Sequence, residues 1–132
     1  MDNNTRDLAN YRLNRAREDL NSAIKCLENQ ELRFANNRAY YSIFHSIRAV
    51  LALEKKDFKK HSSVIAYFNQ HYVKTKLFPS NLHELISNAE FVRNASDYND
   101  FYVASFDKTK EQIESAKLIF DLVEKYINST II

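Results

Sequence analysis

Asn37-Arg38-Ala39-Tyr40-Tyr41-Ser42-Ile43-Phe44-His45-Ser46-Ile47-Arg48 is the stretch on which the reading of this chain turns. Wound at about 100° per residue, position +7 returns to within about 20° of its start, so Arg38 and His45 fall two turns apart on one face. Tyr41 and Arg48 join the same line. Tyr40, Ile43, Phe44, Ile47, Val50 and Leu51 supply a broad apolar face, and Ser42, Ser46 and Ala49 a small-residue seam where another backbone can come close. The stretch therefore reads as a core helix carrying one polar stripe. An imidazole that titrates near neutrality between two permanent cations suits the handling of a phosphodiester.

Outward from that helix, composition supports an all-α fold. The chain has 132 residues, no glycine and one proline, Pro79. That length fits one domain, residues 1 to 132, with a core that needs neither disulfide nor metal. Without glycine, a phosphate-cradling loop or dinucleotide fingerprint is excluded, and turns with positive φ are expected to be avoided. Cys26, the single cysteine, reads as a small buried hydrophobe. The N-terminus shows no hydrophobic export segment and no run approaches membrane-spanning length, so a cytoplasmic location is expected. The Asn-x-Ser/Thr triplets at Asn3, Asn94 and Asn128 then carry no weight. Nineteen basic against seventeen acidic side chains is nearly balanced, so any case for nucleic acid must be local.

Five helices are expected, in a five-helix antiparallel up-and-down bundle with short connections. The first, about 5 to 29, places Leu8, Tyr11, Ala16, Leu20, Ala23 and Leu27 inward. The second, about 33 to 55, bears the stripe and has the widest apolar face. A charged connection from Glu54 to Lys60 leads to a third helix, capped by Ser62 or Ser63 and carrying Val64, Phe68 and Tyr72. After Pro79 a fourth helix turns Leu82, Leu85, Ile86 and Ala89 inward and extends that row to Arg93 and Ser96. The turn-forming run 94 to 100 ends it. The fifth, from near Ser105 to Thr109 and on to about Asn128, has Ile113, Ala116, Phe120, Val123 and Ile127 at core spacing.

Arg38-Ala39-Tyr40-Tyr41-Ser42-Ile43-Phe44-His45, then Lys60-His61-Ser62, then Arg93-Asn94-Ala95-Ser96-Asp97-Tyr98, resemble in order and spacing the HEPN domain family, in its stand-alone prokaryotic branch. The resemblance covers nearly the whole chain. It implies a five-helix bundle that dimerises through the motif helix, and a metal-independent endoribonuclease site at the dimer cleft. It also implies a toxin partnered by a small nucleotidyltransferase antitoxin. Arg38 and His45 match the family's Arg-x(4 to 6)-His motif at its longest spacing. Ala39 stands where many active members carry a polar residue, and Ile47 where some carry a tyrosine that the antitoxin nucleotidylates.

RNA cleavage through the 2′-hydroxyl needs a base, an acid and cations on the phosphate. His45 and its copy on a second chain are candidates for base and acid, with Arg38 gripping the phosphate and Arg48 extending the positive surface. Tyr41, Arg93, Asp97 and Tyr98 are supporting candidates, and His61 offers a second imidazole. Lys55, Lys56, Lys59 and Lys60 read either as a guide for RNA backbone or as a solvated connection. No cofactor is expected. No paired-histidine or carboxylate motif suggests a metal, and His71 and His83 read as surface residues. Arg38 is expected to pair with Asp97 or Tyr98, and Arg93 with Asp97 at i,i+4. Two other readings stay open: a non-catalytic nucleotide- or partner-binding module using the same cleft, and a structural adaptor whose stripe is a buried polar network or dimer seam.

Overall fold

A computed structural model of the chain describes residues 1–131. Its elements are α1 (Asn3–Glu28), α2 (Leu32–Ala52), α3 (His61–Phe68), α4 (Leu82–Tyr98) and α5 (Phe106–Ile131), with a π-helical turn over Asn69–Val73 continuing α3. No strand occurs among the described residues, and the chain forms a five-helix bundle. The Asp2 carboxylate starts α1 by accepting the Thr5 N–H at 2.7 Å. Ser105 does the same for α5 through the Lys108 N–H.

Helix α2 is the central column, packed against each of the other four helices. Thirteen of its residues are buried, against eight in the longer α1 and seven in the equally long α5, so it is the most enclosed element. The seam of Ser42, Ser46 and Ala49 is fully covered. Ser42 Oγ donates to the Ala16 carbonyl at 2.9 Å, so the backbone that approaches there is α1 of the same chain. The inner rows of α4 and α5 close the core over Ile43, Ile47 and Leu51.

Four expectations need correction. Positive-φ turns are present despite the absence of glycine: Gln30, Lys55 and Lys76 take φ of 61°, 59° and 65°. The first two follow helices whose last carbonyls still need partners, and the six-to-one bonds Glu31 N–H to Cys26 O and Lys56 N–H to Leu51 O supply them. In α1, Leu8 and Tyr11 are exposed and Leu27 half-buried, while Ala9, Arg12, Leu13 and Asp19 turn inward. The governing row is Ala9-Ala16-Ala23 beside Leu13 and Leu20, where small residues let α2 come close. Neither Ser62 nor Ser63 caps α3, which begins at His61 after an extended Lys60. Helix α4 runs on through Asn94–Tyr98 and stops at an extended Asn99.

Candidate functional site

From Ala35 to Ala52, α2 is buried at every position except Asn37, Arg38, Tyr41, His45 and Arg48. The stripe is thus the one line along which the central helix reaches the surface. Its flanks come from three other elements. Arg12, Arg15 and Asp19 approach from α1, Arg93, Asp97 and Tyr98 from α4, and Asp57 and His61 from the connection to α3 and its first residue.

The correction that matters most concerns Arg38. Its Nη1 lies 3.0 Å from Asp19 Oδ1, and its Nε and Nη2 donate to Asn37 Oδ1 at 2.9 and 2.6 Å. Neither Asp97 nor Tyr98 is its partner. Asp97 is one step removed: Asn37 Nδ2 donates to Asp97 Oδ2 at 2.8 Å, so Asn37 stands between arginine and carboxylate. The reason is the rotation of α1, which buries Asp19 against α2 and offers Arg38 a nearer charge. Arg38 keeps 37% of its side chain exposed, enough to meet a ligand.

His45 is 13% exposed. Its Nε2 sits 3.7 Å from Asp19 Oδ2, too far for a hydrogen bond, and its Nδ1 is buried without a partner. Burial, reinforced by Arg15, Arg48, Arg38 and Arg12, lowers its pKa to about 4, so the imidazole is neutral near pH 7. Asp19 shifts the opposite way, since burial disfavours its charge more than Arg38 and Arg15 restore it.

Arg48 and Arg12 share Asp57. Arg48 Nη2 and Arg12 Nη2 reach Asp57 Oδ2 at 2.9 and 3.1 Å, and Arg12 also donates to the Arg48 carbonyl at 3.2 Å. On the α4 side, Arg93 Nε pairs with Asp97 at 3.0 Å, and Nη2 donates to the Tyr41 and Tyr98 hydroxyls at 3.0 and 3.3 Å. Its guanidinium lies over the Tyr40, Tyr41 and Tyr98 rings at 5.3–5.4 Å, and Arg38 covers the Tyr41 ring at 5.2 Å. His61 meets the Tyr40 hydroxyl through Nδ1 at 3.1 Å and packs on Phe44, with ring centroids 4.0 Å apart and planes tilted by 32°. Burial, then Arg93 and Arg48, lowers the pKa of His61 too.

Arg38, Tyr41, His45, Arg48, His61, Arg93, Asp97 and Tyr98 lie together here, whereas Lys55 turns away to pair with Asp2; Arg12, Arg15, Asp19, Asn37 and Asp57 were missed. Five guanidiniums, Arg12, Arg15, Arg38, Arg48 and Arg93, meet three carboxylates, Asp19, Asp57 and Asp97, with Glu90 near Tyr40 and His61 as a fourth, so the patch keeps a net positive charge. A signal existed: Arg12 and Asp19 are seven apart on α1, in register with the alanine row. Among the described residues no three His, Cys, Asp or Glu side chains gather closely enough to hold a metal ion. No described helix is long and apolar enough to cross a membrane.

Comparison with known proteins places the chain in a family. The profile of the HEPN domain matches residues 9–126, and the chain belongs to that family. A UPF0332 protein of Thermotoga maritima is 33% identical over 125 residues, 95% of each chain. Two Methanocaldococcus jannaschii proteins, each described as a "putative toxin", are 33% identical over 115 residues, covering 83% of this chain and 81% of theirs, and 25% identical over 117 residues, covering 89% and 80%.

Proposed function

We propose that the chain is a metal-independent endoribonuclease, acting in the cytoplasm as the toxin of a pair whose antitoxin is a nucleotidyltransferase, and that it works as a homodimer joining two α2 stripes. One observation carries the reading. Between Ala35 and Ala52 the central helix is buried except along one polar line, and that line carries a neutral, 13%-exposed imidazole among guanidiniums, the arrangement that in-line attack on a phosphodiester asks for. The two "putative toxin" relatives support the toxin assignment.

In this mechanism His45 takes the proton of a 2′-hydroxyl through an imidazole nitrogen, and the freed oxygen attacks the adjacent phosphorus. A new P–O2′ bond forms as the P–O5′ bond breaks, and the departing 5′-oxygen takes a proton from His45 of the second chain, whose imidazole takes that proton up from solvent when the anionic strand binds. Arg38 holds the non-bridging oxygens with its fork, and Arg48 and Arg93 extend the positive field. Anionic phosphate among these groups raises the His45 pKa toward the range where it can both accept and return a proton. Because α1 fills the seam of Ser42, Ser46 and Ala49, the second chain docks along the open stripe.

The alternative, a non-catalytic nucleotide- or partner-binding module, is favoured by the carboxylate already sitting on Arg38. Incubating the purified chain with total RNA in the presence of chelator separates the two. Cleavage by wild type that His45→Ala lowers by about 10²- to 10⁴-fold supports the nuclease. Equal cleavage by both proteins, or RNA retention without cleavage, replaces it with the binding module.

A further inference from the structure

At the α3 end of the stripe, Phe44, Arg48, Asp57, Phe58, Lys59 and His61 line an open pocket of about 380 Å³. That is within the range of small-ligand clefts, roughly 300–1,000 Å³. Its floor is aromatic, with the His61 and Phe44 rings 4.0 Å apart. Phe58, on the connecting segment, keeps 38% of its surface exposed although it is large and apolar. Its ring meets Tyr67 at 5.4 Å, tilted by 44°. Two cations, Arg48 and Lys59, stand on the rim.

The pocket is built in advance. Asp57 accepts both the Arg48 guanidinium, at 2.9 and 3.4 Å, and the Phe58 N–H, at 2.9 Å. Although burial works against its charge, those bonds hold the Asp57 carboxyl below its usual range, so the clasp is ionised near neutrality. Arg48 belongs to the stripe and to the pocket wall at once, with its guanidinium 5.8 Å above the Phe44 ring. Arg48 stands one turn beyond His45 on α2, so the pocket adjoins the His45 end of the stripe. Aromatic faces beside a cationic rim are the features with which single-stranded nucleic acid is gripped, and they take bases of any identity.

We infer that this pocket receives the nucleobase adjoining the scissile phosphate, stacked on Phe58 and His61 with its own phosphate on Arg48 and Lys59. The inference deepens the RNA-cleaving reading and rests on it. The test is a titration of the purified chain at low salt with two labelled ten-unit strands. One is a random-sequence 2′-O-methyl RNA, which lacks the attacking hydroxyl. The other is its abasic counterpart, with the same phosphates and no bases. Wild type is expected to prefer the base-bearing strand by roughly 5- to 150-fold, the usual range for one stacked base. Phe58→Leu, which keeps bulk and loses the π face, is expected to remove most of that preference while leaving abasic binding unchanged, and Phe58→Tyr to keep it. Phe91→Ala, exposed on α4 far along the sequence, serves as a control that keeps it. Retention of the preference in Phe58→Leu overturns the pocket, as does equal binding of both strands by wild type. In either case loss of cleavage in His45→Ala would still uphold the nuclease. Failure of wild type to bind either strand overturns both.

Discussion

Replacing His45 by glutamine should change how stability depends on pH. The buried imidazole holds its pKa near 4 in the folded chain, against 6.5 when solvated. As pH falls through 6.5 the unfolded chain takes up a proton at this position and the folded chain does not, so folding weakens until about pH 4. Each pH unit across that window costs about 1.36 kcal/mol, and between pH 7.5 and 4.5 the accumulated loss is about 2 to 3 kcal/mol. At 13% exposure, solvent screening does little to reduce it. Glutamine has no such proton to bind. Urea unfolding of wild type and His45→Gln at several pH values should therefore show wild type losing about 2 to 3 kcal/mol more than the variant on acidification. Parallel curves, with a gap constant to within about 0.5 kcal/mol, would refute the claim that the imidazole is desolvated and flanked by cations.

Other outcomes follow from the same geometry. Arg38→Ala should lower cleavage about as much as loss of His45, whereas Arg38→Lys should restore only part, since a lysine cannot supply the two-pronged grip; single-turnover rates decide this. Asp19→Asn should leave the fold within about 1 kcal/mol of wild type, because burial already opposes that charge, yet lower kcat on the order of 10²-fold through misplacement of Arg38 and His45. Because one His45 must be neutral as base and its copy protonated as acid, and the free enzyme holds both near 4, kcat/KM should peak near pH 4 and fall toward neutral pH; a peak centred near 6.5 would contradict the lowered pKa. Sedimentation at high concentration should give twice the chain mass, and a purely monomeric mass would remove the two-histidine scheme.

The bundle was legible because α2 declares itself: bulky apolar residues at helical spacing surround one polar line, and that line is what the fold leaves open. The partners of the line were less legible. Asp19 and Arg12 lie in a helix whose buried face is marked by alanines, which carry little hydrophobic weight, so Leu8 and Tyr11 pointed the reading the wrong way. The choice of Asp97 for Arg38 identified the right end of the molecule and the wrong carboxylate. It rested on α4 alone, although α1 presents a nearer charge. Positive-φ turns at Gln30 and Lys55 escaped because the six-to-one bonds closing α1 and α2 compensate a strain that glycine would have avoided. Asp57 escaped as one charge within a lysine-rich connection whose conformation is set by the two arginines it clasps.

The chemistry of the cut ends tests the central claim most directly. A defined single-stranded RNA incubated with the purified chain in chelator should yield fragments ending in a 2′,3′-cyclic phosphate or the 3′-phosphate that follows from it, because the attacking oxygen is the substrate's own. His45→Ala should yield almost none. Fragments ending in a 3′-hydroxyl, or equal cleavage by His45→Ala, would show that the α2 stripe does not carry out the reaction assigned to it.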